Sequence, residues 1–266
     1  MIALLSPAKS LDFESVPPYE KRSDLIFAKE AEYLANKLKK FSAKKLKTMM
    51  SISDDLAQLN AERYAHWTLP FTNDNSKQAV YSFNGDVYQG LDATALSKVE
   101  MDYAQDHLRI LSGLYGVLRP LDSIQPYRLE MGTSWAITPK KNSLYRYWKS
   151  TVTDRLKEDI ETVDAKFILN LASQEYAKVI DFKSVDLPII APDFKEERGD
   201  KFQMISFFAK KARGLMAKYA IENKITNPEE LMGFDYEGYH FNEALSDLSK
   251  NKWVFTRKYE SNQIKK

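Results

Sequence analysis

Two hydrophobic patterns alternate along the chain: short uninterrupted apolar runs, and apolar residues spaced three or four positions apart. The first pattern is typical of buried strands, and the second is typical of helices with one buried face. The opening run, Ile2–Leu5, predicts a buried strand that carries the polar loop Ser6–Ser10 at its C-terminal end, where open α/β sheets place their ligand groups. Further strands are predicted at Ala79–Phe83, Phe167–Leu171, Leu187–Ala191, Lys201–Ile205, Tyr239–Phe241 and Trp253–Tyr259.

Helical spacing is clearest in the region that follows Ser23, which is a candidate N-cap. Ser42 and Ser53 are the candidate N-caps of two shorter helices, because a serine hydroxyl can accept a free amide N–H of the first turn. Other helices are predicted over Leu144–Val163, Gln174–Val179 and Ser206–Asn223. The run Leu108–Leu111 fits a strand or a helix equally well. The whole pattern predicts a single α+β domain over residues 1–266, with a mixed β-sheet flanked by helices.

The stretch Leu108–Thr133 combines an apolar segment with glycines, prolines and spaced arginines. The residues concerned are Gly113, Gly116, Pro120, Pro126, Arg109, Arg119 and Arg128. Glycine permits close backbone approach or a positive φ, and proline fixes its own φ. Arginines presented beside a sharp turn suit a phosphate-bearing partner. The alternative is a buried strand and turn whose arginines pair with Asp122 and Glu130.

Two other groups of residues carry candidate chemistry. The first is a basic cluster early on a predicted helix: Lys210, Lys211 and Arg213. Cations are unfavourable near a helix N-terminus unless an anion binds there, although pairing with nearby acids is the simpler alternative. The second is a hydroxyl, an amine and a carboxylate in the loop after the first strand: Ser6, Lys9 and Asp12. These groups suit a nucleophilic site, and a plain turn closed by Asp12 is the simpler alternative.

Composition narrows the partners and compartments that we expect. Hydrophobic residues make up 44% of the chain, charged residues make up 29%, and the net charge is +2, which is ordinary for a globular protein. The charge is uneven, because six lysines and no acid lie between Tyr33 and Ser53; a solvated helix face explains most such runs. The sequence has neither the pattern of a signal peptide nor an apolar run long enough to span a bilayer, so we expect a cytoplasmic protein.

Redox, metal and cofactor chemistry have little support in the sequence. Cysteine is absent, so a disulfide, a thiolate nucleophile or a thiolate-bound metal is impossible. The three histidines are scattered, and Glu237 with His240 is a single copy of a spacing that di-iron bundles use twice. Neither a Walker-type phosphate loop nor a dinucleotide glycine pattern occurs. We therefore expect neither a metal nor a cofactor.

Five segments together resemble the YaaA family of bacterial peroxide-stress resistance proteins. They are SPAKSLD at Ser6–Asp12, FNGDVYQGLDA at Phe83–Ala93, LRILSGLYGVLRPLDSIQPYRLEMGT at Leu108–Thr133, NLASQEY at Asn170–Tyr176 and AKKARGLMAKY at Ala209–Tyr219. The resemblance implies protection during hydrogen peroxide stress, with a lowering of unincorporated intracellular iron. It also implies DNA binding by a fold with a helix-hairpin-helix element and a positively charged cleft. We expect that element within Asp102–Leu121, where Gly113 and Gly116 enclose two residues instead of the usual one.

The residues and the resemblance together predict a stress protein that binds duplex or branched DNA in a basic cleft. The predicted nucleic-acid-binding residues are Lys9, Arg109, Gly113, Gly116, Arg119, Arg128, Lys210, Lys211 and Arg213. The alternative is an enzyme that cleaves or modifies a base in nucleic acid or a nucleotide. Its candidate catalytic residues are Lys9, Asp12, Glu130 and Lys210. A small phosphate-bearing ligand fits the same cations.

Overall fold

The opening apolar run of the chain forms the central strand of the largest sheet. A computed structural model describes residues 1–258, and its strands form sheets of five, four, two and two strands. The strands of this range are β1 (Ile2–Leu5), β2 (Ser10–Leu11), β3 (Lys77–Gln78), β4 (Phe83–Asn84), β5 (Leu108–Ser112), β6 (Gly116–Leu118), β7 (Ser123–Ile124), β8 (Ile168–Asn170), β9 (Ile189–Ile190), β10 (Asp193–Arg198), β11 (Lys201–Gln203), β12 (His240–Phe241) and β13 (Val254–Lys258). Both larger sheets contain parallel and antiparallel pairs, which confirms the predicted α+β class with mixed sheets.

The five-stranded sheet has the strand order β6-β5-β1-β8-β9. β1 pairs in parallel with β5 on one side and with β8 on the other. All four residues of β1 are fully buried, as expected for a parallel strand that is covered on both faces. Because β5 and β8 flank β1 on opposite sides, the strand order reverses at β1. In open sheets, ligands bind beside the carboxyl ends of the strands at such a point.

Helices of very different lengths cover the sheets. The α-helices of the described range are α1 (Ala28–Leu38), α2 (Ala43–Met50), α3 (Asp54–His66), α4 (Ala79–Ser82), α5 (Asp86–Leu91), α6 (Lys98–His107), α7 (Leu144–Thr162), α8 (Gln174–Ala177) and α9 (Ser206–Glu222). Short 3₁₀ helices occur at Ala93–Ala95, Phe182–Ser184, Pro228–Gly233, Tyr236–Gly238, Glu243–Leu245 and Leu248–Lys250. Within residues 1–258, no helix is both long enough and apolar enough to cross a membrane.

The serine caps predicted for α2 and α3 are present. The Ser42 hydroxyl accepts the amide N–H of Lys45, and the Ser53 hydroxyl accepts that of Leu56. Each serine thereby satisfies one of the amides that a first helical turn leaves free. Ser23 is not a cap, because its hydroxyl donates to the Asp122 carboxylate and α1 begins without a side-chain cap.

One predicted strand is a helix. Ala79–Phe83 supplies α4, a single helical turn between β3 and β4. The amides of Ala79 and Val80 donate to the carbonyls of Asp122 and Pro120, and these tertiary hydrogen bonds override the strand preference of Val80 and its aromatic neighbours. The strand predicted at Ile2–Leu5 is present with the same bounds, and the other predicted strands are present with shorter bounds. The last residue of the predicted strand Trp253–Tyr259 lies outside the described residues.

The segment Asp102–Leu121, in which we expected the helix-hairpin-helix element, has a different structure. It is the end of α6 followed by the antiparallel hairpin of β5 and β6, so the prediction for this segment is wrong. Gly116 has φ +71°, and a Cβ on it would lie 2.7 Å from the Trp148 ring. A Cβ on Gly113 would lie 2.2 Å from the carbonyl oxygen of Leu129. Both glycines are buried and are required by this packing.

Arg109, predicted as a nucleic-acid contact, is enclosed in the protein. Its Nε donates to the Asp159 carboxylate at 2.7 Å, and the two side chains are 4% and 3% exposed. Its Nη1 donates to the carbonyls of Gln105 and Leu108. Arg155 binds the other oxygen of Asp159 at 2.8 Å. A nucleic acid cannot reach Arg109, so its role is in the fold.

The four-stranded sheet, β11-β10-β13-β12, has a buried ion pair at its centre. Arg257 on β13 donates to Glu196 on β10 at 2.9 Å, and both side chains are almost fully buried. The Tyr239 hydroxyl donates to the same carboxylate at 2.5 Å. The Arg257 guanidinium also lies over the Tyr239 ring, 4.5 Å from its centroid. Buried charges require such partners, and the pair fixes the two strands to one another.

α5 and α9 cross with backbone against backbone. A Cβ on Gly214 of α9 would lie 1.8 Å from the carbonyl oxygen of Val87 on α5. A Cβ on Gly90 of α5 would lie 2.1 Å from the carbonyl oxygen of Lys211 on α9. Neither clash can be relieved by turning a side chain, because the obstructing atoms belong to the main chain. The crossing therefore depends on glycine at both positions.

We expect Gly214→Ala to lower the free energy of unfolding by about 2 kcal/mol or more, because the added methyl group must push two helix backbones apart. Urea unfolding at pH 7 measures this change. Gly199→Asn is the control, since Gly199 has nothing within 4 Å of an added Cβ and asparagine tolerates a left-handed backbone. Equal stability of the Gly214→Ala variant and the parent chain would contradict the close crossing.

We expect Asp159→Asn to lower the free energy of unfolding at pH 7 by about 3 kcal/mol, because Arg109 would keep a buried charge without its counter-charge. Burial alone would raise the pKa of Asp159, but hydrogen bonds and charge from Arg109 and Arg155 outweigh it and hold the pKa below its usual value. A carboxylate of this kind stabilises the fold above its unfolded pKa, and the contribution is lost as the pH falls through the folded pKa.

The difference between the parent chain and Asp159→Asn should therefore shrink between pH 5 and pH 3, measured by urea unfolding at each pH. Asp164→Asn removes one partner of an exposed ion pair, Lys166–Asp164, in which the side chains are 63% and 83% exposed. Because exposed pairs contribute little, this control should change stability only slightly. A gap for Asp159→Asn that stays constant with pH would refute the assignment.

Candidate functional site

The loops that follow β1 and β8 meet at one edge of the five-stranded sheet. The Ser173 amide N–H donates to the Ser6 hydroxyl oxygen at 2.9 Å, and the Ser6 hydroxyl lies 3.3 Å from that of Ser173. The Tyr88 hydroxyl donates to the Ser6 carbonyl at 3.0 Å. Three of the segments quoted above, which are distant in sequence, therefore meet beside β1.

Lys9, Arg128 and Glu130 meet at this edge, whereas the predicted cleft also included Arg109, Arg119, Lys210, Lys211 and Arg213. Glu130 accepts a hydrogen bond from the Arg128 Nη2 at 2.9 Å, and its other oxygen lies 3.2 Å from the Lys9 Nζ. The three residues border a small cavity of about 60 Å³, which we call the Glu130 pocket. Its lining is Pro7, Ala8, Lys9, Tyr127, Arg128, Leu129, Glu130, Glu175 and Tyr176. The Lys9 side chain is 66% exposed, whereas that of Arg128 is 16% exposed.

α3 lies directly behind the Glu130 pocket. The Tyr64 hydroxyl of α3 donates to the Arg128 carbonyl at 2.8 Å. The neighbouring Arg63 has a lowered pKa, first because it is partly buried and also because the Arg128 charge lies nearby. The pocket itself brings together the Arg128 guanidinium and the Lys9 amine, and Arg63 lies outside its lining. Sequence reasoning missed Arg63, because only the fold places α3 beside residues 128–130.

The remaining polar groups of the Glu130 pocket are a carboxylate and two phenols. Glu175 accepts the amide N–H of Gly132 at 3.0 Å. Burial raises the pKa of both Tyr127 and Tyr176, so each phenol keeps its proton at neutral pH. The Tyr127 hydroxyl shares a hydrogen bond of 2.7 Å with that of Ser112. The pocket therefore offers cations and hydroxyl groups to a ligand, with Glu130 and Glu175 as its carboxylates.

Asp12, predicted as a catalytic candidate, closes a turn. Its carboxylate accepts the amide N–H groups of Glu14 and Ser15 and the Ser15 hydroxyl. These bonds from Ser15 hold the pKa of Asp12 well below its usual range. Asp12 lines a different cavity from Lys9. The simpler alternative for this residue, a turn, is the one that the structure shows.

Two of the three spaced arginines pair with the acids that the sequence offered as an alternative. Arg119 binds Asp122 at 2.9 Å and also donates to the Asp24 carbonyl, and Arg128 binds Glu130. The side chain of Asp122 is fully buried. Arg119 therefore has a structural partner of its own, and it does not line the Glu130 pocket.

The basic cluster of α9 is also separate from the Glu130 pocket. Lys211 lies 2.5 Å from Glu237, so its charge is compensated. Arg213 is partly buried, which lowers its pKa, and the charge of Asp193 opposes that effect. Lys210 is exposed on the helix surface. Of the candidate catalytic residues, the structure brings together Lys9 and Glu130, and it does not place Asp12 or Lys210 with them.

α2 and α3 form a compact pair of helices that a three-residue turn joins. Ser51 ends α2 with φ 52°, a left-handed conformation, and Ser53 caps α3. Ile52, between the two serines, is buried. The sequence signal for the two helices was the pair of serine caps. The left-handed turn between them was not indicated, because that position is usually glycine and here it is Ser51.

The acid-free run of lysines extends from the end of α1 through α2, the first helix of this pair. We call these residues the lysine band: Lys37, Lys39, Lys40, Lys44, Lys45 and Lys47. The middle four are exposed. Lys47 lies 2.6 Å from Asp54, the first residue of α3, and compensates its charge beside the turn. The lysine band is therefore a cationic surface next to a helix N-terminus.

A second basic surface lies at the start of α7. It borders an open cavity of about 490 Å³ lined by Lys140, Lys141, Arg146, Lys149, Ser150, Thr153, Asp154, Asp181 and Ser184. Lys149 pairs with Asp181 at 3.1 Å. Tyr147 of α7 stacks on Tyr33 of α1, which places α7 beside the helix that leads to the lysine band. The sequence signal for this surface was Lys140-Lys141 with Arg146 and Lys149 three apart.

The described residues do not suggest a resident metal site. Within residues 1–258, no three side chains among histidine, aspartate and glutamate are grouped so that they could hold a metal ion. The His107 Nδ1–H donates to the Met1 carbonyl at 2.9 Å, and burial lowers the pKa of His107.

Comparison with known proteins gives a consistent result over nearly the whole chain. A family model described as peroxide stress protein YaaA matches residues 1–245. A UPF0246 protein of Ralstonia nicotianae is 50% identical over 258 residues, which cover 97% of this chain and 99% of the relative. One of Neisseria gonorrhoeae is 48% identical over 265 residues and covers 100% of both chains. One of Hahella chejuensis is 46% identical over 257 residues, with 97% and 99% covered.

Proposed function

The chain belongs to the family of the peroxide stress protein YaaA, and from that premise we propose that it protects cells from peroxide by binding DNA. The interface in this proposal is the helix pair α2–α3 with the lysine band. The observation that supports it is the turn Ser51–Ser53, which joins two short helices beside a cationic surface. Exposed lysines and free first-turn amides are the groups that bind phosphates.

Such an interface binds the sugar–phosphate backbone of DNA. Lysine amines and helix amides contact phosphate oxygens, which gives affinity without reading the bases. Duplex and branched DNA both present the required phosphates. Asp54, the acid nearest the turn, is already compensated by Lys47 at 2.6 Å. The basic surface beside α7 would extend the contact along a longer DNA.

The proposal extends to the cellular role. The protein would act in the cytoplasm, the compartment of bacterial DNA, and would limit oxidative damage there. We include the lowering of free intracellular iron in the proposed role, because iron that is not bound in proteins converts peroxide into reactive radicals.

If the lysine band contacts about six phosphates, the DNA association constant should fall with salt with a logarithmic slope of about −5. Replacing Lys44 and Lys45 with glutamine should make the slope less steep by about 2, because each lost phosphate contact removes about 0.9. Fluorescence anisotropy with a labelled 20-base-pair duplex at several salt concentrations measures both values.

The control removes the same charge elsewhere. Lys224 and Lys252 are exposed lysines outside the lysine band, and their double replacement by glutamine should leave the slope close to that of the parent chain. Binding that is independent of salt, or an equal loss in both double variants, would refute an interface at the lysine band.

A second candidate function is an enzyme that modifies a nucleotide or a base at the Glu130 pocket. The observation that favours it is the contact of an amine with a carboxylate, Lys9 with Glu130 at 3.2 Å, at the sheet edge where open sheets bind ligands. An amine next to a carboxylate can transfer protons or attack an electrophile. The exposure of Lys9 leaves it accessible to a substrate.

If the pocket is catalytic, Lys9→Ala should abolish peroxide protection in cells that lack their own copy while duplex affinity stays within about twofold of the parent chain. Lys210→Ala serves as the control, because Lys210 is an exposed lysine outside the pocket. Survival after hydrogen peroxide and anisotropy with duplex DNA are the two measurements. Protection that follows DNA affinity across these variants would contradict catalysis.

A further inference from the structure

The two cations of the Glu130 pocket are not each matched by an acid of their own. Lys9 and Arg128 share the single carboxylate of Glu130. Glu175 is the other carboxylate of the lining, and it accepts the Gly132 amide. The lining therefore holds two cations and two carboxylates, and both cations contact the same carboxylate. Arg119, in contrast, has the buried Asp122 as its own acid.

Arg128 also has an unused donor. Its Nη2 binds Glu130, but its Nε is buried and has no hydrogen-bond partner among the residues that the structure describes. A buried polar group without a partner is unfavourable. An acceptor that enters the pocket would remove this cost, and guanidinium groups match the oxygens of phosphate particularly well.

The size and position of the pocket indicate what kind of acceptor it takes. Its volume of about 60 Å³ is a few times the roughly 15 Å³ that one water molecule requires, which suits a compact group of a few heavy atoms. The pocket borders the carboxyl end of β1, where the strand order reverses. The phosphates of nucleotides occupy this position in many parallel sheets.

We propose that the Glu130 pocket binds the terminal phosphate of a nucleotide or of a DNA end. Lys9 and Arg128 supply the positive charge, and Glu130 positions both around the bound group. A monoester carries about two negative charges and ends its chain, so it can enter a small pocket. An internal phosphodiester carries one charge and continues on both sides. The inference goes beyond duplex binding and stands whether or not α2 and α3 contact DNA.

Calorimetric titration of the full chain tests the proposal with deoxyadenosine 5′-monophosphate and with deoxyadenosine. We expect the monophosphate to bind at least about tenfold more tightly, since hydrogen bonds to charged groups have that magnitude. Arg128→Gln and Lys9→Gln should each weaken monophosphate binding about tenfold or more. Lys210→Gln removes an exposed charge outside the pocket and should leave it unchanged.

Equal binding of the monophosphate and of deoxyadenosine, or no binding of either, would overturn the proposal. The same loss in Lys210→Gln and Lys9→Gln would also overturn it. If Arg128→Gln does not fold, the effect of Lys9→Gln on monophosphate binding is sufficient to test the proposal. The Lys9 side chain is 66% exposed, so its replacement leaves the core intact. None of these outcomes depends on the salt slope of duplex binding, so this proposal and the proposed DNA interface can fail separately.

The source of the phosphate is decided in a second experiment. A DNA hairpin with a phosphorylated 5′ end is compared with the same hairpin ending in a hydroxyl, and inorganic phosphate is the competitor. A preference for the phosphorylated end that Lys9→Gln abolishes supports a DNA end as the ligand. Monophosphate binding without such a preference supports a free nucleotide. If the protein prefers the phosphorylated end but neither Lys9→Gln nor inorganic phosphate changes that preference, the Glu130 pocket does not bind the terminal phosphate.

Discussion

The pairing of β1 on both of its edges is the constraint on which the functional edge of the molecule depends. All four residues of β1 are buried. In a strand with one solvent-exposed face, the alternation of polar and apolar residues fixes the register, but β1 has no such alternation. The register depends on polar bonds at the two ends of the strand. Ile2 donates to the Phe167 carbonyl at one end, and Ser6 is bonded to Ser173 at the other. This pairing holds Lys9 where Arg128 and Glu130 can meet it.

The partners of the cations distinguish structural from functional charge. Arg109 and Arg257 are buried against Asp159 and Glu196, and breaking such a pair costs several kcal/mol. Binding of a ligand to either arginine would require this pair to break, so these residues serve the stability of the fold. The exposed lysines of the lysine band carry no such cost, because their charge is already solvated.

The sequence predicted correctly those features that depend only on residues adjacent in the chain, such as helix caps. Ser42 and Ser53 cap helices as expected because a cap needs only its own next three residues. Residues 79–83 were misassigned because hydrogen bonds to residues 120 and 122 decide their conformation. A buried strand with paired arginines was one of the two alternatives for this stretch, but the partner of Arg109 could not be foreseen, because Asp159 lies 50 residues away in sequence.

The candidate site was predictable only in part for the same reason. Lys9, Arg128 and Glu130 were named from sequence, and they meet. Arg63 was not, because the packing of α3 behind Arg128 is a tertiary contact. The helices α2 and α3 were predicted from their serine caps, but the tight turn between them depends on the left-handed conformation of Ser51, which the sequence does not indicate.

The crossing of α5 and α9 restricts how this protein can vary. At most helix contacts, a larger residue on one side is accommodated by a smaller one opposite. Here the atoms opposite Gly90 and Gly214 are main-chain carbonyl oxygens, and these are present whatever side chain the residue carries. A change at either glycine therefore has no compensating change at the other, and each position should stay glycine whatever happens at its neighbour.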